Sequence, residues 1–137
     1  MIIGSMTFAK EMLQTKEELE KLGFQAEVPF DVEYHVGDEQ AIDDLEKNLQ
    51  YCIKNDVIWN GFKQVADAVL VLNYPKNNID GYVGTSTLME MAVAHWHRKK
   101  IFVLNELPDH NEYRWAHEAK IMTTKVLHGD LAQLKEA

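Results

Sequence analysis

Basic residues are scarce in this chain: 14 Lys and Arg stand against 22 Asp and Glu, for a formal net charge of −8. A nucleic-acid clamp needs a basic surface to displace counterions from phosphates, so the balance argues against one. It argues equally against docking on anionic lipid. A small anionic ligand remains open, because backbone amides hold phosphate without any cation. Cysteine is reduced to Cys52, which leaves no internal disulfide and falls in a helical apolar pattern, as a buried structural thiol does. Three Pro and seven Gly, with 46% apolar residues, exclude a fibrous or disordered chain. No apolar run approaches the ~18 residues of a membrane span. Met1-Ile2-Ile3 is far too short for a signal peptide, so the expected compartment is the cytoplasm. No Cys/His spacing suggests zinc, and neither a metal nor a cofactor is expected.

What is present is enough for one core. Residues 1–137 read as a single domain, in which short apolar runs alternate with helical periodicity. That pattern predicts an α/β fold: a doubly wound, flavodoxin- or Rossmann-like sheet of five parallel strands with helices on both faces. Met1-Ile2-Ile3 is a strand stub, short for a central strand. A helix from about Thr7 follows, with Phe8, Met12, Leu19 and Leu22 on one face and Gly23 as its stop. Phe24 to Val28 is the second strand, closed by Pro29, and residues 30–37 form a loop without a clear period. A second helix from about Asp38 buries a stripe of Ile42, Leu45, Leu49 and Cys52 or Ile53, extended by Ile58, Phe62 and Val65, with a bend at Asn60-Gly61. Ala68 to Leu72 is uninterrupted and apolar, as a strand buried on both faces is. Residues 73–84 form a turn-rich loop before a helix opening at Thr85 or Ser86. Ile101 to Leu104 is a strand, Glu112 to Met122 a helix, and Thr124 to Leu127 an edge strand. Ligands of such sheets bind beyond the carboxyl ends of the strands.

Two strand-to-helix turns could carry chemistry there. In Gly4-Ser5-Met6-Thr7-Phe8 a glycine lets the backbone approach a ligand, and the helix behind it offers free amides. The same turn also reads as a plain connection with Ser5 or Thr7 as N-cap. It is neither a Walker loop nor a dinucleotide fingerprint. In Gly84-Thr85-Ser86-Thr87-Leu88-Met89-Glu90 three hydroxyls stand at a helix start, with Glu90 one turn in. Thr87 and Glu90 have the spacing of a capping box. Alternatively, Glu90 points into the cleft as a nucleophile or base, since its neighbours are all apolar and a charge among them needs a reason. His95 and His97 lie on different helix faces and cannot share a metal.

Gly4-Ser5-Met6, Ala66-Asp67-Ala68-Val69-Leu70-Val71-Leu72-Asn73, the Gly84 to Ala94 segment and Lys99-Lys100-Ile101-Phe102, in that order, resemble the nucleoside 2-deoxyribosyltransferase superfamily, which includes nucleotide N-glycosidases. The most specific element is a glycine-containing loop followed by a helix reading Glu-x-[Gly/Ala]-x-Ala, here Glu90 to Ala94. The resemblance implies that Glu90 attacks the anomeric carbon of a nucleoside or nucleoside 5′-monophosphate and forms a glycosyl-enzyme intermediate. It implies a second acid on the helix before the central strand, best matched by Asp56, at a longer spacing than in the hydrolases. Asp56 also reads as a solvated helix carboxylate. Asp80 matches a sugar-contacting acid, or else opens an Asp-Gly turn. Ser5, with the Gly4 and Met6 backbone, would line the sugar or phosphate end, Thr85 and Ser86 would help in nucleotide-accepting members, and Asn73 faces the cleft by position. Ala92 stands where the family usually has Gly. Family members are commonly dimers or higher, so Tyr34, His35 or Trp115 would reach across to a neighbour.

Two further readings compete with a glycosyl-transferring or hydrolysing enzyme. One is a non-catalytic nucleotide-binding or sensing protein of the same fold. The other, a flavodoxin-like FMN carrier, is weakened by the absence of a hydroxyl-rich phosphate cradle in the first loop.

Overall fold

The computed structural model describes residues 1–37, 44–64 and 67–136. Four short parallel strands carry the fold: β1 (Ile2–Gly4), β2 (Ala68–Leu72), β3 (Lys100–Val103) and β4 (Lys125–Val126), in that spatial order. Among the described residues six α-helices surround them: α1 (Ala9–Lys21), α2 (Val32–Gly37), α3 (Leu45–Asn55), α4 (Val57–Lys63), α5 (Thr85–Trp96) and α6 (Arg114–Met122). Side chains alternate across a strand, so the apolar runs fill both faces. Ile2, Leu70, Leu72 and Phe102 pack with Met12 and Leu19 of α1. Ile3, Val69, Val71, Ile101 and Val103 pack with Met91 and Ala94 of α5 and Ala119 of α6. The sheet is thus α/β, parallel and flanked by helices, as expected. Among the described residues no helix is long and apolar enough to cross a membrane.

Among the described residues the sheet has four strands rather than five. Residues 24–28, expected as the second strand, run beside β1 without joining the sheet. One backbone bond crosses, from Ile2 N to Glu27 O at 2.8 Å. A three-residue β1 presents too few outward backbone groups for a longer ladder, and Pro29 brings no N–H of its own. On its other side β1 begins pairing at once, with the Met1 ammonium donating to Ala68 O at 2.9 Å.

Three other expectations are corrected. Residues 32–37 form α2 rather than a loop. The Leu45, Leu49 and Ile53 stripe of α3 is exposed, at 80%, 50% and 64%, because α3 and α4 do not lie on the sheet. The bend comes at Asp56, whose left-handed backbone (φ 45°, ψ 57°) ends α3 and opens α4, and not at Asn60-Gly61. Asp38, Ile42, Val65 and Ala66 lie outside the described residues.

Gly4 is required where it stands. A β-carbon there would sit 2.8 Å from the Leu72 carbonyl oxygen, inside the β1–β2 ladder. Gly4→Ala is therefore expected to lower stability by roughly 1–3 kcal/mol, as overpacking against backbone does, read as a reduced urea midpoint. An unchanged midpoint would mean that the two strands can separate freely.

Candidate functional site

Beyond the carboxyl end of β1 lies a cavity of about 270 Å3, near the lower end of small-molecule sites. Gly4, Ser5 and Met6 line one side, and Gly84, Thr85, Ser86, Thr87 and Glu90 of the α5 turn line another. Opposite them stand Asp31 and His35 around α2, Cys52 of α3, and Val57 and Gly61 of α4. Helices α3 and α4 thus wall the cavity, while Leu45, Leu49 and Ile53 of α3 lie outside its lining. Of the residues expected at a site, Gly4, Ser5, Met6, Gly84, Thr85, Ser86 and Glu90 are brought together here.

Helix α5 begins at Thr85, with Gly84 as an N-cap that offers no side chain. Thr87 is consequently inside the first turn and buried, so Thr87 and Glu90 do not form a capping box. Glu90 lies in the second turn and faces Gly61: a β-carbon at Gly61 would meet the Glu90 carboxyl carbon at 3.6 Å. Burial, and then the charge of Asp31, push the Glu90 carboxyl up to about 7. The α5 amides, which have no intrahelical acceptor in the first turn, add a positive dipole end beside it.

Ser5 caps the turn after β1 and accepts from Thr7 N at 3.4 Å. Its hydroxyl also meets Thr7 Oγ1 at 2.8 Å and accepts from Lys76 Nζ at 2.9 Å. Lys76 is a cation that charge counting did not place near the strand ends. The Asn77-Asn78 pair, both at positive φ, folds the loop back so that Lys76 and Ile79 bond each other. Two adjacent Asn residues are a readable signal for such a turn.

The remaining expected residues lie elsewhere. Asp56 is exposed and caps α4 by accepting from Trp59 N at 3.4 Å. Asp80 is exposed, ahead of Gly81 at φ 77°, as in an Asp-Gly turn. Asn73 is fully buried and bonds the Asn105 backbone twice, at 2.8 Å each, tying β2 to the loop after β3. Phe8 is core, edge-on to Tyr74 at 5.3 Å. Trp115 packs against the α5–α6 core and the Tyr82 ring.

The acidic residue that does line the cavity with Glu90 is Asp31, which sequence reasoning passed over. Its Oδ2 lies 3.2 Å from His35 Nε2, and both side chains are nearly buried. Tyr51 of α3 is in hydrogen-bonding reach of Asp31, and burial followed by the Asp31 charge pushes its hydroxyl up to about 12. Burial, then Asp31, raises the Cys52 thiol as well, so this cysteine is held away from its nucleophilic thiolate form. The Asp-x-x-x-His spacing of residues 31 and 35 was the available signal, since it joins neighbours on one helical face. Among the described residues no group of three or more His, Cys, Asp or Glu is placed to hold a metal ion.

No family model, curated protein or solved structure matches the chain, so the chemistry of the cavity is argued from its own geometry.

Proposed function

We propose that this chain cleaves or transfers at the N-glycosidic bond of a (deoxy)nucleoside or nucleoside 5′-monophosphate, as a relative of the nucleoside 2-deoxyribosyltransferases, with Glu90 as nucleophile. One observation carries the reading: a half-buried carboxyl with a raised proton affinity lines a small-molecule cavity together with Ser5 and the α5 hydroxyls. Burial makes the ionised carboxylate more basic and less satisfied by water. A developing sugar cation is the partner it lacks. Glu90 Oε bonds C1′ as the C1′–N bond breaks, and the base leaves with that electron pair. Water or a second base then displaces Glu90 from C1′. Homo-oligomerisation belongs to the same reading and is supported by the exposed apolar residues Leu45, Leu49 and Ile53, and by Trp96 at 83% exposure.

A non-catalytic nucleotide binder of the same fold is favoured by one fact: Asp56, expected to assist the departing base, caps a helix outside the cavity. Incubation with a panel of nucleosides and their 5′-monophosphates, following free base by chromatography, separates the two. Base release supports the enzyme, whereas tight binding without release supports the sensor.

Lys76 bears on which substrate is preferred. A phosphate beside Ser5 would gain a charge-assisted hydrogen bond from its ammonium, worth roughly 1.5–3 kcal/mol. Lys76→Met is expected to raise KM for a 5′-monophosphate by about 10- to 100-fold and to leave the parent nucleoside unaffected. Equal changes for both substrates would remove Lys76 from phosphate recognition.

A further inference from the structure

Resting on the glycosidic reading of the Glu90 cavity, we propose that His35 is the acid that protonates the departing base, through Nδ1, with Asp31 as its positioning residue. His35 and Asp31 are one helical turn apart, and their side chains are 4% and 8% exposed. Nε2 is committed to Asp31 at 3.2 Å. Nδ1 is buried and has no hydrogen-bond partner, the only such side-chain nitrogen or oxygen among the described residues. Buried polar atoms are ordinarily paired, and an orphan on a side chain that lines a cavity leaves a bond that a ligand can complete once the ring turns towards it. His35 itself lines that cavity, alongside Glu90.

The ring is held for this task. Tyr34 meets it edge-on at 5.2 Å and Tyr51 at 5.9 Å, and these two tyrosines stack on each other at 4.2 Å. With Nε2 tied and the ring walled, Nδ1 is the nitrogen left for a ligand. The titratable groups around it are Asp31 and Tyr34 beside it on its own segment, Tyr51 and Cys52 from α3, and Glu90 from α5. Tyr51 and Cys52 hold their protons well into the alkaline range, which leaves Asp31 and Glu90 as the carboxylates of the site. A carboxylate behind an imidazole fixes its orientation, as in a catalytic triad.

The step balances. As Glu90 Oε bonds C1′, the C1′–N electron pair moves onto the base, and the Nδ1 proton passes to a ring nitrogen such as N7 of a purine. His35 is left neutral. When water then attacks C1′, Nδ1 takes its proton, and the C1′–O bond to Glu90 breaks to restore the carboxylate. The pair therefore supplies the acid that the position of Asp56 leaves missing.

A purine already methylated at N7 is cationic and leaves without a proton, which gives the test. Base release is measured from 2′-deoxyguanosine and from its 7-methyl derivative, with spontaneous loss subtracted, for wild type, His35→Gln and Asp31→Asn. In single-turnover measurements, which read the base-release step alone, His35→Gln is expected to slow release from 2′-deoxyguanosine by about 100-fold or more and to retain the rate of release from the methylated substrate. Asp31→Asn should show the same substrate split to a lesser degree. Activity retained on the methylated purine also certifies that the variant is folded. Equal loss on both substrates, or no loss on either, overturns the role of His35 while leaving Glu90 as nucleophile. Wild type releasing base from neither substrate overturns the glycosidic reading and the role together.

Discussion

Glu90→Gln is expected to abolish base release, by at least about 10^3-fold in kcat, while nucleoside binding persists. The amide keeps the shape of the side chain and its place against Gly61, but it has no anionic oxygen with which to bond C1′. The wild-type protein should also show an acid limb in kcat/KM centred near 7, because only the ionised carboxylate attacks and burial holds its proton to about that pH. Chromatography of free base across pH 5–9 measures both. Release undiminished in Glu90→Gln would place the nucleophile elsewhere. Loss of binding along with release would instead make Glu90 a binding group, and the sensor reading would gain.

The parts of this architecture that were legible in the sequence are those fixed by local or two-faced patterns. Ala68 to Leu72 declares a doubly buried strand because every residue is apolar, and Gly23 ends α1 at a positive φ of 94° where other residues are strained. Both cavity-lining turns were visible for the same reason: glycine before hydroxyls at a strand-to-helix junction. What the sequence hid depends on the chain's three-dimensional path. Leu45, Leu49 and Ile53 have the period of a buried face, yet periodicity says only that a face is apolar, not that the sheet covers it. The strand at 24–28 failed because its partner β1 is three residues long, a limit set by a distant segment. Asp31 was missed, and His35 was expected only to reach a neighbouring subunit, because the first precedes and the second sits in a six-residue helix, α2, too short to announce itself by period. Asp56 has the right residue type near the expected position, but a left-handed junction uses its carboxylate as a cap.

The same burial that makes Glu90 a candidate nucleophile should weaken the fold at alkaline pH. An unfolded chain releases this proton near the ordinary value of 4.5, whereas the folded chain holds it to about 7. Between those values the folded state binds more protons than the unfolded one, so stability falls as pH rises through this window. Above about 7 the cost is fully present, and with ~1.4 kcal/mol per tenfold change in proton affinity it amounts to roughly 3 kcal/mol. Glu90→Gln carries no such titration. Urea denaturation of both proteins at pH 4.5 and pH 8 isolates the effect, because every other ionisable group is common to the pair. The variant is expected to gain roughly 3 kcal/mol on the wild type between the two pH values. A gap that stays constant would mean that water reaches the carboxylate freely, and Glu90 would then lose both its raised basicity and the argument for its reactivity. A gain of the expected size would identify a site kept at the expense of stability, as a charge awaiting a cationic transition state must be.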